Sequence, residues 1–170
     1  MANHEVTKQK IVDALFKLLK DNDLASISVS NICQTASVSR MSYYRSFKTK
    51  DQIIDYKIDQ IFTDFFNYLM LRPNHDIGTF LEAFFSICRR NASYIEALID
   101  ANLNDRLYDK LNFYLTDLIE QGIFKLRTDI PVMWVNFVAG GLNQMVVQWV
   151  KDGLVQTNQE MVMVAHRFLR

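Results

Sequence analysis

The chain has 170 residues, and 49% of them are hydrophobic, which is enough to form a core and excludes disorder along the whole length. Phenylalanine is frequent while proline and glycine are scarce, a composition that suits helices joined by short connections. The net charge is zero, but residues 1–50 carry eight basic side chains against four acidic ones, and the acidic excess lies in residues 51–170. This modest asymmetry suggests nucleic-acid contact near the N-terminus.

Hydrophobic periodicity predicts an all-α protein of about nine helices. Thr7 is the predicted cap of a first helix that ends near Asp21, and Ser28 is the predicted cap of a second, short one. A third short helix is expected from about Arg40 to Phe47. The others are expected near residues 50–71, 77–90, 92–101, 103–121 and 131–152 and after residue 157.

Start and stop signals mark several of these helices. Thr49 with Gln52 and Thr157 with Glu160 have the spacing of capping boxes. Pro131 suits the first residue of the eighth helix, and Gly153 suits its end.

The cysteine and histidine patterns argue against metal, cofactor and catalytic sites. Cys33 and Cys88 lie far apart and outside any CxxC motif, which predicts two buried free thiols in a reducing cytoplasm. The N-terminus lacks the pattern of a signal peptide. The three histidines are scattered, and there is no Glu-x-x-His motif, phosphate-binding glycine loop or nucleophile elbow. We therefore expect no catalytic residues, no metal, no cofactor and no enzymatic activity.

The second and third predicted helices have the spacing of a helix-turn-helix, in which the second helix enters the major groove of DNA. Tyr43 and Phe47 are four residues apart and can pack inward, while Met41, Ser42 and Arg45 point roughly the other way. Cations follow directly at positions 48 and 50. The alternative interpretation is a small solvated helix with no partner.

The segment ISVSNICQTASVSRMSYYRSFKTKDQII, residues 27–54, resembles the N-terminal DNA-binding domain of TetR-type transcriptional regulators. The pattern of that family is close to hTVxxIAxxAGVSxxTFYxHFxxKxxLh, where h is apolar. With the helix before this segment, the resemblance covers about 50 residues. Two positions differ from the pattern: Ser37 stands where the turn glycine is usual, and Ser46 stands where histidine is frequent.

The resemblance implies a homodimer in which each copy reads one half of a palindromic operator in double-stranded DNA, most simply as a repressor. It implies that Arg40, Met41 and Ser42 face base edges, that Tyr44 contacts a phosphate and that Arg45 approaches a phosphate or a base. The remaining implied DNA contacts are Thr7, Lys8, Ser28, Ser30, Ser39, Ser46, Lys48 and Lys50. Residues 1–50 would form the DNA-binding domain, and residues 51–170 would form a helical domain for effector binding and dimerisation.

Residues 130–150 contain no charge and are long enough to span a bilayer. Four polar side chains interrupt them, however, and a helical projection places these opposite an apolar stripe, so we expect an amphipathic helix and no membrane partner. That stripe and the last helix are predicted to form the dimer interface, unless both are buried within one chain. The predicted interface residues are Trp134, Val138, Gly141, Met145, Trp149, Met161, Ala165 and Phe168.

Aromatic residues are dense between residues 62 and 85 and are well suited to line a cavity for an apolar or aromatic small-molecule effector. The candidate pocket residues are Phe62, Phe65, Phe66, Phe84, Tyr94 and Tyr114. Two alternatives stay open. The resemblance also fits an activator or regulator controlled by a protein partner, and the first fifty residues also fit a helical adaptor that binds no DNA.

Overall fold

A computed structural model of the chain describes residues 2–74, 76–123 and 132–169. Those residues form nine helices and no strand. The helices are α1 (Ala2–Leu19), α2 (Val29–Ala36), α3 (Arg40–Ser46), α4 (Lys50–Met70), α5 (Ile77–Arg90), α6 (Ala92–Asp100), α7 (Asp105–Glu120), α8 (Val132–Lys151) and α9 (Asn158–Phe168). The all-α prediction is confirmed. We call α1–α3 the head and α4–α9 the body.

The first helix begins earlier than predicted. It starts at Ala2, so Thr7 lies inside α1 and the prediction that Thr7 caps this helix is wrong. Charge pairing supports the extra turn: the Lys8 ammonium lies 3.4 Å from Glu5 Oε1, three residues before it. The Tyr56 hydroxyl, on α4, also donates a hydrogen bond of 2.9 Å to Glu5 Oε2.

Two serines begin the short helices of the head. Ser28 caps α2 in a reciprocal capping box with Asn31, and Ser39 caps α3 by accepting a hydrogen bond of 3.0 Å from the Ser42 backbone N–H. Between the helices, Ser37 has φ 53° and ψ 46°, in the left-handed region. The turn therefore has the conformation that glycine favours, and serine adopts it at a cost.

We expect Ser37→Gly to stabilise the protein by about 0.5–1 kcal/mol, because glycine relieves the left-handed strain but adds freedom to the unfolded chain. The Ser37 side chain is exposed, so no packing is lost. Urea denaturation would measure the change. Ser39→Ala, two residues later, should destabilise by about 1 kcal/mol through loss of the cap. A Ser37→Gly variant no more stable than the parent would contradict the strain argument.

The long helix α4 joins the head to the body. Its buried face includes Ile54, Ile58, Ile61, Phe65 and Leu69, which are spaced at helical intervals. The helix contacts α1 on the head side and α5 and α7 on the body side. One continuous helix therefore contacts both the head and the body.

Ion pairs hold α4 against α7. Arg106 pairs with Asp51 and, at 3.1 Å, with Asp55 Oδ1, while the Lys110 ammonium lies 2.6 Å from Asp59 Oδ1. The three aspartates recur every four residues and so share one face of α4. This row of pairs aligns the N-terminal half of α4, directly after the head, with the body.

The last two helices close the body. Gly153, with φ 74°, follows α8, and the predicted capping box of Thr157 and Glu160 opens α9, which packs on α5. Trp149 is buried, and its indole N–H donates a 3.0 Å hydrogen bond to the Gln156 carbonyl. Pro131, the predicted first residue of the eighth helix, lies outside the described residues.

Candidate nucleic-acid interface

Helix α3 is anchored by two aromatic side chains. Tyr43 and Phe47 are buried, as the four-residue spacing predicts. The Tyr43 ring meets the ring of Tyr44 edge to face, with centroids 5.2 Å apart. Burial raises the pKa of the Tyr43 phenol. Tyr43 is therefore an internal residue, and the two adjacent tyrosines face opposite environments.

The outer face of α3 carries Met41 and Tyr44, which are 73% and 58% exposed, together with exposed Arg40 and Arg45. Arg40 leans towards α2, where its Nη2 donates a 3.0 Å hydrogen bond to the Ser30 hydroxyl. This bond holds the guanidinium between the two helices of the motif. Arg40, Met41, Tyr44 and Arg45 thus form one continuous exposed surface with Ser30.

The serines of this region serve mainly to hold the helices. The hydroxyls of Ser39 and Ser42 are 3.0 Å apart, and the Ser46 hydroxyl donates to the Ser42 carbonyl at 3.0 Å. Ser28 is engaged in its capping box. Ser42 and Ser46 are half-buried, so their hydroxyls are less available to DNA than the neighbouring arginines.

The two lysines that follow α3 lie in different surroundings. Lys48 is exposed. Lys50 is half-buried, and its ammonium donates to the carbonyls of Leu24, Ala25 and Ile27, at 3.4 Å for Ala25 and 2.7 Å for Ile27. Lys50 therefore ties the loop between α1 and α2 to the start of α4. Spacing alone did not show this role, because the three carbonyls are 23 to 26 residues away.

The remaining predicted contact residues lie on α1. Thr7 and Lys8 are both half-buried. The Lys8 ammonium pairs with Glu5 and lies 5.1 Å from the centre of the Tyr56 ring. Lys8 is thus on the side of α1 that faces Tyr56 of α4, whereas Arg40 and Tyr44 lie on α3 itself.

A polar cluster joins the head to the body. The Tyr94 hydroxyl, on α6, donates a 2.6 Å hydrogen bond to Asp13 Oδ1 of α1, and Gln9 Nε2 donates to the same oxygen at 2.7 Å. The Lys57 ammonium, buried on α4, lies 3.8 Å from the centre of the Tyr94 ring. Burial and the Asp13 carboxylate raise the pKa of Tyr94 to about 12, while burial lowers the pKa of Lys57. We call these four residues the junction cluster.

A small apolar cavity lies in the body. It measures about 30 Å³ and is lined by three of the candidate pocket residues, Phe62, Phe65 and Phe84, with aliphatic side chains from α4 to α8, the Cys88 thiol and Asn143. Phe66, Tyr94 and Tyr114 are not in its wall. Tyr94 belongs to the junction cluster, and Tyr114 stacks on the outer side of Phe62 with centroids 4.9 Å apart. Three of the six candidate pocket residues therefore line the cavity, and three lie elsewhere.

The predicted apolar stripe of α8 is only partly exposed. Val138 and Trp149 are buried within the chain, and Trp134 and Met145 are half-buried. The exposed large apolar residues are Val132, Met133 and Phe137 on α8, and Met163, Val164 and Phe168 on α9. Of these six, only Phe168 is among the predicted interface residues. Part of the predicted stripe is therefore buried within the chain, which was the alternative to a dimer surface.

An open groove of about 210 Å³ separates α8 from α9. Gly141 lies in its wall, and an added Cβ there would have no neighbour within 4 Å. The other residues lining it are Phe137, Val138, Leu142, Met145, Val164, Ala165, Phe168 and Leu169. We call this feature the α8–α9 groove. Met161 of α9, a predicted interface residue, is instead buried inside the chain.

Two other kinds of site, a membrane-spanning helix and a metal site, are absent from the described part of the chain. No helix there is apolar enough, over a sufficient length, to cross a membrane. In the same residues, no group of three or more histidine, cysteine, aspartate and glutamate side chains is placed to hold a metal ion.

Comparison with known proteins assigns this fold. A family model described as "Transcriptional regulator C-terminal region", of the TetR group, matches residues 76–170. No curated protein sequence matches the chain significantly.

Several solved structures have the same fold along nearly the whole chain. Lin0861 from Listeria innocua is 19% identical, with a TM-score of 0.73 over 100% of this chain and 94% of that one. A TetR-family transcriptional regulator from Syntrophomonas wolfei is 18% identical, with a TM-score of 0.66 over 95% and 92%. The dihydroxyacetone kinase operon activator DhaS is 18% identical, with a TM-score of 0.62 over 96% and 93%.

Proposed function

The chain belongs to the TetR family of transcriptional regulators, and from this we propose that it is a cytoplasmic repressor that binds a palindromic operator in double-stranded DNA as a homodimer. In this proposal residues 1–50, which contain the head, bind DNA. Residues 51–170 dimerise and respond to an effector. The same assignment leaves no catalytic role for the chain.

The observation that carries DNA binding is the outer face of α3. Buried Tyr43 and Phe47 hold this helix on the head, so that Arg40, Tyr44 and Arg45 stand exposed on one surface. Guanidinium and hydroxyl groups donate hydrogen bonds, and phosphates and base edges accept them. Exposed Lys48 extends the positive charge at the end of the helix.

The α8–α9 groove supports dimerisation. It exposes large apolar side chains, Phe137 and Phe168, next to Gly141, where a second helix backbone can approach closely. A two-fold dimer would place these surfaces of two copies against each other and present two heads to a palindromic site.

Effector control is supported by the cavity and the junction cluster together. At about 30 Å³ the cavity has room for about one water molecule, so a small-molecule effector would have to push its walls apart. Phe62 and Phe65 of α4 line it, and Lys57 of the junction cluster lies one turn and a half earlier on the same helix. Binding in the cavity would therefore move α4 and, through it, the head.

The small size of this cavity also favours a second candidate, a regulator controlled by a protein partner, as an activator or otherwise. One of the similar folds is an operon activator, so this architecture is used for activation as well. Thermal unfolding in the presence of apolar ligands separates the two: a small-molecule effector should raise Tm, whereas a protein-controlled regulator should show no such shift.

Selection of bound fragments from random DNA, with a salt titration, tests DNA binding itself. A regulator should enrich a short palindrome and lose affinity steeply as salt rises. If no fragment is enriched at any salt concentration, the helical-adaptor alternative is favoured and the proposed function fails.

We expect Tyr44→Phe and Arg40→Ala to weaken binding in different ways. Loss of the exposed Tyr44 hydroxyl should reduce affinity about equally on all sequences, because a phosphate contact positions the head without reading bases. Arg40→Ala should relax the preference at one base of each half-site by roughly 1–3 kcal/mol. Competition binding with single-base operator variants measures both, and a changed base preference in Tyr44→Phe alone would reverse the two roles.

A further inference from the structure

We propose that Met41 is a specificity-determining residue that packs against the C5-methyl group of a thymine in each half-site of the operator. The inference rests on the proposed DNA binding and adds to it the identity of a base. It starts from the exposure of Met41, which at 73% is far greater than packing inside the head would require.

The polar neighbours of Met41 have contacts within the head, although the exposed guanidinium of Arg40 keeps further N–H groups for DNA. Arg40 is tied to the Ser30 hydroxyl at 3.0 Å, and the Ser42 hydroxyl lies 3.0 Å from that of Ser39. Met41 is the second residue of α3, and in a helix-turn-helix the N-terminal residues of the second helix contact base edges. Next to Arg40, Met41 thus presents an apolar group on the surface proposed to face the DNA.

Tyr44 adds a second apolar surface beside it. The two residues are three positions apart on α3, so they share a face, and the Tyr44 side chain is 58% exposed. Edge-to-face packing on buried Tyr43 holds the Tyr44 ring in place. Met41 and Tyr44 together form an apolar strip in which Met41 is the outermost side chain at the N-terminal end of the helix.

The chemistry of the major groove selects one partner for such a strip. Among unmodified bases, only thymine presents a methyl group there, whereas the other edges present hydrogen-bond donors or acceptors. A thioether has no hydrogen-bond donor and is only a weak acceptor. Against a polar base edge it would displace water without replacing the lost hydrogen bonds. The flexible methionine side chain can adjust to reach the methyl group. Met41 should therefore favour thymine and disfavour cytosine at one position in each half-site.

The test uses the intact protein and the operator obtained by selection from random DNA. Each thymine is replaced in turn by deoxyuridine, which pairs identically but lacks the methyl group. We expect one symmetry-related pair of positions to show a loss of about fourfold per half-site, the value for burying one group of this size. At the same position, cytosine should weaken binding, and 5-methylcytosine should restore part of the loss.

Met41→Ala is the matched variant. The side chain is exposed, so the variant should fold with an unchanged Tm. Its affinity should be the same for thymine and deoxyuridine at the sensitive position, while its response at every other thymine matches that of the parent. Met41→Leu should keep the preference for thymine, and Met41→Gln should lose it.

The outcomes separate this inference from the proposed function. If the protein selects an operator but no thymine shows a methyl effect, or if Met41→Ala keeps that effect, the Met41 assignment is wrong and DNA binding stands. If no operator is selected, the proposed function fails and the assignment falls with it. An exposed Met41 that serves a protein partner instead would give the first of these results.

Discussion

If the chain dimerises through the α8–α9 groove, as proposed, replacing Gly141 by arginine is expected to give folded monomers. An added Cβ at this position has no neighbour within 4 Å, so the side chain can extend into solvent in a single chain. Removing a glycine from the helix should even stabilise α8 slightly, by about 0.8–1 kcal/mol for the backbone. In a dimer, the same arginine would lie between Phe137 and Met145 at the contact with the partner, where an unpaired charge costs about 3–5 kcal/mol.

Sedimentation velocity measures the loss of the dimer, and thermal unfolding shows that the monomer remains folded. Operator affinity should fall by at least 100-fold, because a single head binds without the second half-site. Gly140→Ala is the control for loss of a helical glycine, since its Cβ would meet the Tyr108 ring at an ordinary 3.9 Å. Asn67→Arg, at an exposed position of α4, adds the same charge elsewhere. If Gly141→Arg remains dimeric, the interface lies outside the α8–α9 groove.

Lys50→Met and Lys48→Met are expected to give opposite phenotypes although they remove the same charge two residues apart. Lys50→Met should destabilise the protein by about 2–4 kcal/mol, because it removes the charged donor to the carbonyls of Leu24, Ala25 and Ile27. Lys48→Met should change stability by no more than about 0.5 kcal/mol, because Lys48 is exposed. Urea denaturation of both variants measures this difference.

Salt titration of operator binding completes the comparison. If Lys48 contacts a phosphate, Lys48→Met should lower the slope of log affinity against log salt by about one for each head. Lys50→Met should weaken binding through a distorted head and leave the slope nearly unchanged. A reduced slope in Lys50→Met with full stability would show instead that Lys50 leaves its carbonyls to bind DNA.

Residues close together in sequence were predicted well. The four-residue spacing of Tyr43 and Phe47 correctly placed both in the core, and Ser37, at the position of the usual turn glycine, has the left-handed conformation that glycine favours. Ser28 and Thr157 were correctly predicted as caps. In each case the interaction spans fewer than five residues, so the backbone geometry of a helix or turn is enough to predict it.

Contacts between distant segments were not predicted. Tyr94 was expected in the effector pocket, but its hydroxyl bonds Asp13, 81 residues away, in the head. Buried Lys57 gave no sequence signal, because it interrupts an apolar face only once. Asn143 is one of the four polar residues that were expected opposite the apolar stripe of α8, and it lies in the cavity wall. For a single polar residue on a helix, the sequence does not show which distant residue it will contact.

Helical periodicity was sufficient to predict the nine helices of the described residues and the inward anchors of α3, because each depends on a repeat of 3.6 residues along one segment. Periodicity did not identify which surface of α8 is exposed. Nearly every position of this helix is apolar or uncharged, so several faces were equally suited to the core. Packing within the chain buried Val138 and Trp149, the latter against Phe85 and Arg89 of α5, and left Phe137 and Gly141 at the surface, since the neighbouring helices cover only one side of α8.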